Sequence, residues 1–283
     1  PRRSRVGASV PELPEAETIA RGLRPRVVGR RIAAARFLSR RVATHRTRRL
    51  TPKRVLGRAI TDVTRRAKLV LVNLEGGDQL AVDLRMTGRL LCSRDGAPEG
   101  FEHIRAVLEL DDASRIYFDD ARQFGSITLF VPEEWARYTE RFGPEPLGRG
   151  FTVQVLRAAL RGKTRAAVKT ALLDPRVAAG VGNLYANEAC FVAGIRPGRR
   201  ARRLRGGELE GLHAAIRQVL AEAIEARGTT FRDYRDAAGD MGTYQGTLRV
   251  YDRAGEPCQR CGTKIRRVVL AGRSGFYCPR CQR

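Results

Sequence analysis

The 283-residue sequence has no apolar run approaching the roughly 20 residues that a membrane-spanning helix needs, which argues against a helical membrane protein. It has no internal repeat and no low-complexity tract, which leaves out solenoids and arrays. No apolar signal-like segment occurs either, which weighs against a secreted, disulfide-stapled domain and favours a cytoplasmic one with reduced thiols. Acidic side chains are scarce: 30 Asp and Glu stand against 54 Lys and Arg, a formal net charge of +24. A field of that sign concentrates polyanions, so nucleic acid is the leading partner. Arginine far outnumbers lysine, as a GC-rich genome also produces, so charge alone does not decide the matter.

The cysteines are patterned. Cys258-x2-Cys261 and Cys278-x2-Cys281 place two thiolate pairs at the spacing with which each can reach one tetrahedral ion. Two disulfides are the alternative, but Cys92 and Cys190 would remain as odd thiols. Four thiolates leave no open position for water, so a single Zn²⁺ here is structural rather than catalytic.

The chain is long enough for two cores. Pro14 through Leu23 reads as a helix, with Ile19 and Leu23 one turn apart and Glu15 and Glu17 in the first turn, where the helix dipole favours anions. Between about 50 and 130, short apolar stretches (Leu69 to Leu74, Leu80 to Leu84, Ala106 to Leu110, Ile127 to Val131) are broken by Glu75-Gly76-Gly77-Asp78 and Asp111-Asp112. That is the punctuation of an antiparallel sandwich. Gly143-Pro144-Glu145-Pro146-Leu147-Gly148 halts periodic structure and reads as a linker. Beyond it Leu209, Leu212, Ile216, Val219, Leu220 and Ile224 follow helical steps. The run Arg199-Arg200-Ala201-Arg202-Arg203 fits a solvated turn at least as well as a phosphate contact. The expected organisation is a multidomain α+β protein: residues 1–10 as a leader, 11–140 as an antiparallel β-sandwich with flanking helices, 141–150 as linker, 151–240 as a helical domain and 241–283 as a zinc β-hairpin finger.

The segment Pro11-Glu12-Leu13-Pro14-Glu15 and the terminal cysteines occur together with Arg65-Arg66-Ala67-Lys68, Leu84-Arg85-Met86-Thr87-Gly88, Asp120-Ala121-Arg122-Gln123-Phe124-Gly125, Gly180 through Glu188, Gly228-Thr229-Thr230 and Gly272-Arg273. In this order, from Pro11 to Arg283, they resemble the formamidopyrimidine-DNA glycosylases. The resemblance implies that the helical domain is a helix-two-turns-helix module. It also implies a bifunctional DNA glycosylase and apurinic lyase acting on oxidised purines, such as 8-oxoguanine and formamidopyrimidines, in duplex DNA. Its partner would be double-stranded DNA carrying oxidised bases or abasic sites, bound as a monomer in the nucleoid. By the same resemblance Pro11 is the amine nucleophile, Glu12 the acid that protonates the sugar ring oxygen, and Glu15 a second carboxylate near the helix start. An α-amino group titrates near 8 and a lysine near 10.4, so a terminal amine is the free base at neutral pH roughly several hundred times more often.

Lys68, on an expected strand, corresponds to the family's lysine for backbone phosphates and elimination; a solvated strand-edge lysine is the alternative. Arg273, among small residues, is expected at the tip of the finger, gripping phosphates bidentately. The target nucleotide must leave the stack, and Met86, Arg122 and Phe124 resemble the family's fillers of the hole; taken alone, Met86 and Phe124 would be core residues. His103, Arg165, Lys169 and Asn183 are the further expected DNA contacts. The stretch from Gly228 to Tyr244 resembles the loop that closes over the extruded base.

Several positions depart from the family pattern. Ten residues precede Pro11, and an internal proline has no free amine; the expectation is that translation starts at Val10 and that residues 1–10 are a misread start. Asp83 and Phe101 replace commonly found histidines, and Asp174-Pro175 replaces an Asp-Gln pair. The alternatives are an endonuclease VIII-like enzyme for oxidised pyrimidines, a catalytically silent binder of damaged DNA, and, remotely, a zinc-ribbon RNA-binding protein.

Overall fold

Helix α1 (Leu13–Val27) is laid against a sandwich because its apolar positions Ala16, Ile19, Ala20, Leu23 and Val27 share one stripe, and all five enter the largest core cluster. The computed structural model describes residues 10–44, 50–163 and 165–283. The expected leader therefore lies, but for Val10, outside the described residues.

The sandwich strands are β1 (Ile32–Phe37), β2 (Ala43–Thr44), β3 (Ile60–Arg66), β4 (Leu69–Leu74), β5 (Gln79–Asp83), β6 (Gly88–Ser93), β7 (Ile104–Leu110), β8 (Arg115–Asp120) and β9 (Ser126–Phe130). One sheet has the order β1-β7-β8-β6 and the other β2-β9-β5-β4-β3. All pairs are antiparallel except β2 with β9. Val72, Leu80 and Val82 of one sheet meet Leu90, Leu108, Ile116 and Phe118 of the other in a single core. The β4–β5 turn falls at the expected glycines, where Gly76 and Gly77 take φ of 83° and 87° that a side chain would resist. A short helix α2 (Pro132–Thr139) follows β9, with proline and two glutamates in its first turn, a helix-start signal that the strand reading passed over. Its Trp135 and Tyr138 pack on Phe130, with ring centroids at 5.4 and 4.7 Å.

The described residues divide into two units, and the boundaries differ from those expected. One unit runs to Glu140 and also takes Ala226–Thr243; the other joins Arg141–Glu225 to Tyr244–Arg283. Residues 226–243 carry no helical or strand periodicity that would have assigned them. They join the sandwich because Tyr234 and Ala237 enter its core. Thr229 N–H also donates to Glu15 at 2.8 Å, and Arg26 Nη1 to the Ala237 carbonyl at 3.2 Å.

The second unit contains α3 (Val153–Arg161), α4 (Val168–Leu172), α5 (Asn183–Val192), α6 (Gly206–Glu225) and a hairpin of β10 (Arg266–Leu270) and β11 (Arg273–Tyr277). All six periodic residues expected to face the core from α6 are buried. The expected linker is built into this unit: Gly143 N–H donates to Pro175 C=O, and Arg217 donates to the carbonyls of Pro146 and Gly148. A Cβ at Gly143 would sit 2.0 Å from the Arg176 oxygen, so only glycine fits. The arginine run forms a turn in which Arg199 pairs with Glu208. Among the described residues no helix is long and apolar enough to cross a membrane.

Candidate active site and nucleic-acid interface

At the head of α1, Pro11 is buried, and Glu12 and Glu15 retain 4% and 1% of their exposure. Glu12 is the N-cap residue, and with Glu15 it forms a reciprocal capping box in which Glu12 N–H donates to Glu15 Oε2 at 2.8 Å. Glu15 Oε1 accepts the Thr229 N–H at 2.8 Å. One buried carboxylate thereby ties the Pro11-Glu12 backbone to the Gly228-Thr229-Thr230 segment. Gly228 has φ of 83°, and a Cβ there would lie 3.1 Å from Glu15 Oε1. Two carboxylates at a helix N-terminus sit in the favourable end of its dipole.

Lys68 differs in place from the expectation. It lies in the two-residue turn between β3 and β4, since Arg66 pairs with Leu69, and the preceding Ala67 is left-handed at φ of 53°. No glycine marks this turn, so the residues read as continuous strand. Arg65 braces it: Nη1 donates to the Ala67 carbonyl at 2.9 Å and Nε pairs with Glu17 of α1 at 2.8 Å. Burial pushes the Glu17 carboxyl up, but hydrogen bonds from Arg21 and Arg65 outweigh it and hold the group below its ordinary value.

Met86, Arg122 and Phe124 come together on two neighbouring loops. Phe124 is 54% exposed, which rules out the core alternative for it, while Met86 is half-buried. The Arg122 guanidinium lies 4.4 Å from the Phe124 ring centroid, and its Nη1 reaches Met86 Sδ at 3.5 Å. Asp83 shapes the turn into Met86: it accepts the Arg85 N–H at 3.2 Å and pairs with the Arg85 side chain at 2.8 Å. His103 is exposed, and its N–H donates to Asp119 at 2.6 Å. Phe101 is buried against Leu91, Val107 and Tyr117 and lies 4.2 Å beneath the Arg89 guanidinium, so this departure supplies packing.

In the second unit the hairpin turns at Ala271-Gly272, with φ of 47° and 73°, and Arg273 follows, exposed, as the first residue of β11. Asn183 Nδ2 donates to Ser274 C=O at 3.1 Å, and Asn187 Oδ1 accepts the Phe276 N–H at 2.7 Å. Lys169 is fully buried, unlike an exposed phosphate contact: its Nζ donates to the carbonyls of Ser274 and Arg273 at 3.0 and 3.3 Å. Burial and then the charge of Arg273 lower its pKa to about 8. Arg165 is exposed.

The Sγ atoms of Cys258, Cys261, Cys278 and Cys281 lie within 4.8 Å of one another, and three of the pairs are at 3.4, 3.5 and 3.9 Å. Zn–S bonds of about 2.3 Å in a tetrahedron give S···S edges of roughly 3.8 Å, so the cluster fits one structural zinc ion. Gln282, fully buried, accepts the Cys278 N–H at 2.8 Å and donates to Ile195 C=O at 2.8 Å, anchoring the knuckle. Cys92 and Cys190 are buried elsewhere.

Three family models match in succession: the formamidopyrimidine-DNA glycosylase N-terminal domain over residues 10–127, the H2TH domain over 142–235, and the zinc finger found in FPG and IleRS over 255–283. The formamidopyrimidine-DNA glycosylase of Cereibacter sphaeroides is 44% identical over 285 residues, covering 97% of this chain and 100% of the relative. The chain belongs to the formamidopyrimidine-DNA glycosylase family. A relative of the same name from Chloroflexus aggregans is also 44% identical, covering 96% of this chain and 98% of its own. Among solved structures, the MutM (Fpg) protein of Thermus thermophilus superposes with a TM-score of 0.83 at 40% identity, covering 96% of this chain and 98% of that one. A Lactococcus lactis FPG mutant in complex with Fapy-dG containing DNA superposes at 0.87 and 31% identity, covering 96% of this chain and 100% of that one.

Within this family framework the first unit gathers Pro11, Glu12 and Glu15 at one helix end and Met86, Arg122 and Phe124 on two adjoining loops. The second unit gathers Lys169, Asn183 and Arg273 about one hairpin. Arg65, Thr229, Asn187 and Gln282 carry no sequence signal as supports, because their contacts span 48 residues or more or use backbone atoms that composition does not reveal. Asp120 stood in the sequence only as the first residue of the Asp120-Ala121-Arg122-Gln123-Phe124-Gly125 motif, without a role of its own.

Proposed function

We propose that the protein is a DNA glycosylase and abasic-site lyase that removes oxidised purines from duplex DNA. The observation that carries the reading is the buried Pro11-Glu12 head of α1, held by Glu15 in a chain that matches a family relative over 100% of that relative's length. The amine of Pro11 attacks the sugar C1′ and the bond to the damaged base breaks, the base leaving with the electron pair and taking the proton that the cationic Pro11 nitrogen gives up. Glu12 gives its proton to the ring oxygen, the ring opens, and a Schiff-base cation links protein and sugar. That cation accepts the electrons released when the C2′ proton is removed, so the C3′–O bond breaks; the same logic then breaks the C5′–O bond. Water frees the amine. This chemistry requires Pro11 to be the first residue of the active form, because the lone pair of an amide nitrogen is delocalised into its carbonyl and does not attack.

The remaining assignments follow from placement. Lys68 is assigned to backbone phosphates and elimination from its turn. Met86, Arg122 and Phe124 fill the space left by the extruded nucleotide. Arg273, His103, Arg165 and Asn183 hold phosphates, and Lys169 acts beneath the hairpin that presents Arg273. The protein works as a monomer on the nucleoid, with Zn²⁺ as its structural ion and DNA as its partner. The test is release of the base from matched duplexes. Excision of 8-oxoguanine or a formamidopyrimidine in preference to thymine glycol supports the reading. Preference for thymine glycol supports the endonuclease VIII-like alternative, and binding without release supports the silent one.

A further inference from the structure

The loops carrying Met86 and Phe124 are separated by more than 30 residues of sequence, yet one carboxylate holds both. Asp120 is the last residue of β8 and is fully buried. Its Oδ1 accepts the Thr87 hydroxyl at 2.5 Å and the Arg122 N–H at 3.2 Å; its Oδ2 accepts the Gly125 N–H at 2.8 Å. The Arg122 N–H also reaches the Thr87 hydroxyl at 3.4 Å. Thr87 directly follows Met86, and Arg122 and Gly125 bracket Phe124. The backbone of Asp120 continues the pattern, its N–H donating to His103 C=O at 3.0 Å and its carbonyl accepting from Arg105 at 2.9 Å. Gly125 admits this geometry because a Cβ would lie 2.7 Å from the Asp83 oxygen and 3.1 Å from Asp120 Oδ2.

We infer that Asp120 is a positioning residue that fixes the Met86 loop and the Arg122–Phe124 loop as one rigid wedge, so that the fillers enter the base stack together. A carboxylate suits the task chemically: three donors converge on two acceptor oxygens with no proton of their own. An asparagine presents only one acceptor oxygen, and its amide hydrogens would oppose at least one of those donors. Arg122 and Phe124 touch through a cation–π contact, which persists only if the backbone between them is held. The inference rests on the reading of these residues as hole fillers.

The test follows wedge entry without chemistry. A duplex containing a tetrahydrofuran abasic analogue, which the enzyme cannot cleave, carries 2-aminopurine beside the gap, and its emission rises when the neighbouring stack is opened. At saturating protein the wild type raises the emission. Asp120→Asn is expected to lose more than about half of that rise while its affinity for the duplex stays within about threefold, since phosphate contacts set most of the affinity. Thr87→Val, which keeps the fold if Asp120→Asn does not, loses part of the rise, and Thr87→Ser restores it. Wild-type emission from both Asp120→Asn and Thr87→Val overturns the inference. A wild-type protein that binds without raising the emission overturns it too. Release of 8-oxoguanine by the same preparation is scored separately, so failure of the proposed activity and failure of the wedge anchor are told apart.

Discussion

At the scale of single residues, burial gives Lys169 and Glu12 roles that exposure would deny them. The Lys169 amine loses its proton near pH 8 when folded and near 10.5 when unfolded. Between those values the unfolded chain binds more protons, so stability rises with pH; below pH 8 both states are charged and the cost of the buried cation is present in full. Comparing urea unfolding of the wild type and Lys169→Met from pH 7.5 to 10 should show this rise only in the wild type. Removing the amine also leaves the carbonyls of Arg273 and Ser274 without that donor, at a cost of about 1–3 kcal/mol, read as a lower urea midpoint at pH 10, where the folded wild type no longer bears the buried charge. Glu12→Gln keeps the shape of the helix head but removes the proton that the ring oxygen needs. Single-turnover excision should fall by about 10²-fold while DNA affinity is unchanged. Glu15 is different, because its carboxylate holds the backbone of Glu12 and Thr229, so Glu15→Gln should lower both stability and excision.

At the scale of elements, the sandwich was legible because its strands are apolar runs closed by glycines and aspartates, and β4 matches the sequence reading residue for residue. Helix α6 was legible because burial on one face imposes its period. Three features were not, each for a physical reason. The turn at Ala67-Lys68 uses a left-handed alanine that nothing in the residue types announces. Residues 226–243 have no regular structure, and their place beside the sandwich is set by backbone bonds such as Cys92 N–H to Ala237 C=O. The hold of Lys169 and Asn183 on the hairpin was not legible, because their partners are carbonyl oxygens, which carry no sequence signal. The 226–243 segment gives the sharpest element-level expectation. A Cβ on Gly242 would lie 2.3 Å from the Gly228 oxygen, a backbone atom that cannot swing aside. Gly242→Ala should therefore destabilise the first unit by about 1–3 kcal/mol, read as a lower thermal midpoint, and loosen Thr229 from Glu15, read as faster amide exchange at Thr229.

At the scale of the whole molecule, a net charge of +24 makes association a counterion-release process. Binding to a lesion duplex should weaken by about 10³–10⁵-fold between 50 and 200 mM salt if six to ten phosphates are neutralised, measured by fluorescence anisotropy. Zinc acts on one part of the chain: Cys258 and Cys278 share a small core with Phe191, Val250, Ile265 and Phe276. Chelation should unfold the hairpin that presents Arg273 and abolish DNA binding, while near-ultraviolet dichroism from Trp135 in the first unit persists. Borohydride trapping on an 8-oxoguanine duplex, followed by mapping of the cross-linked peptide, decides whether the Pro11 amine is the nucleophile. A covalent adduct on Pro11 is expected in protein that begins at Pro11, and none in verified intact chain that begins ten residues earlier. An adduct on Lys68, or equal trapping by both forms, would contradict it.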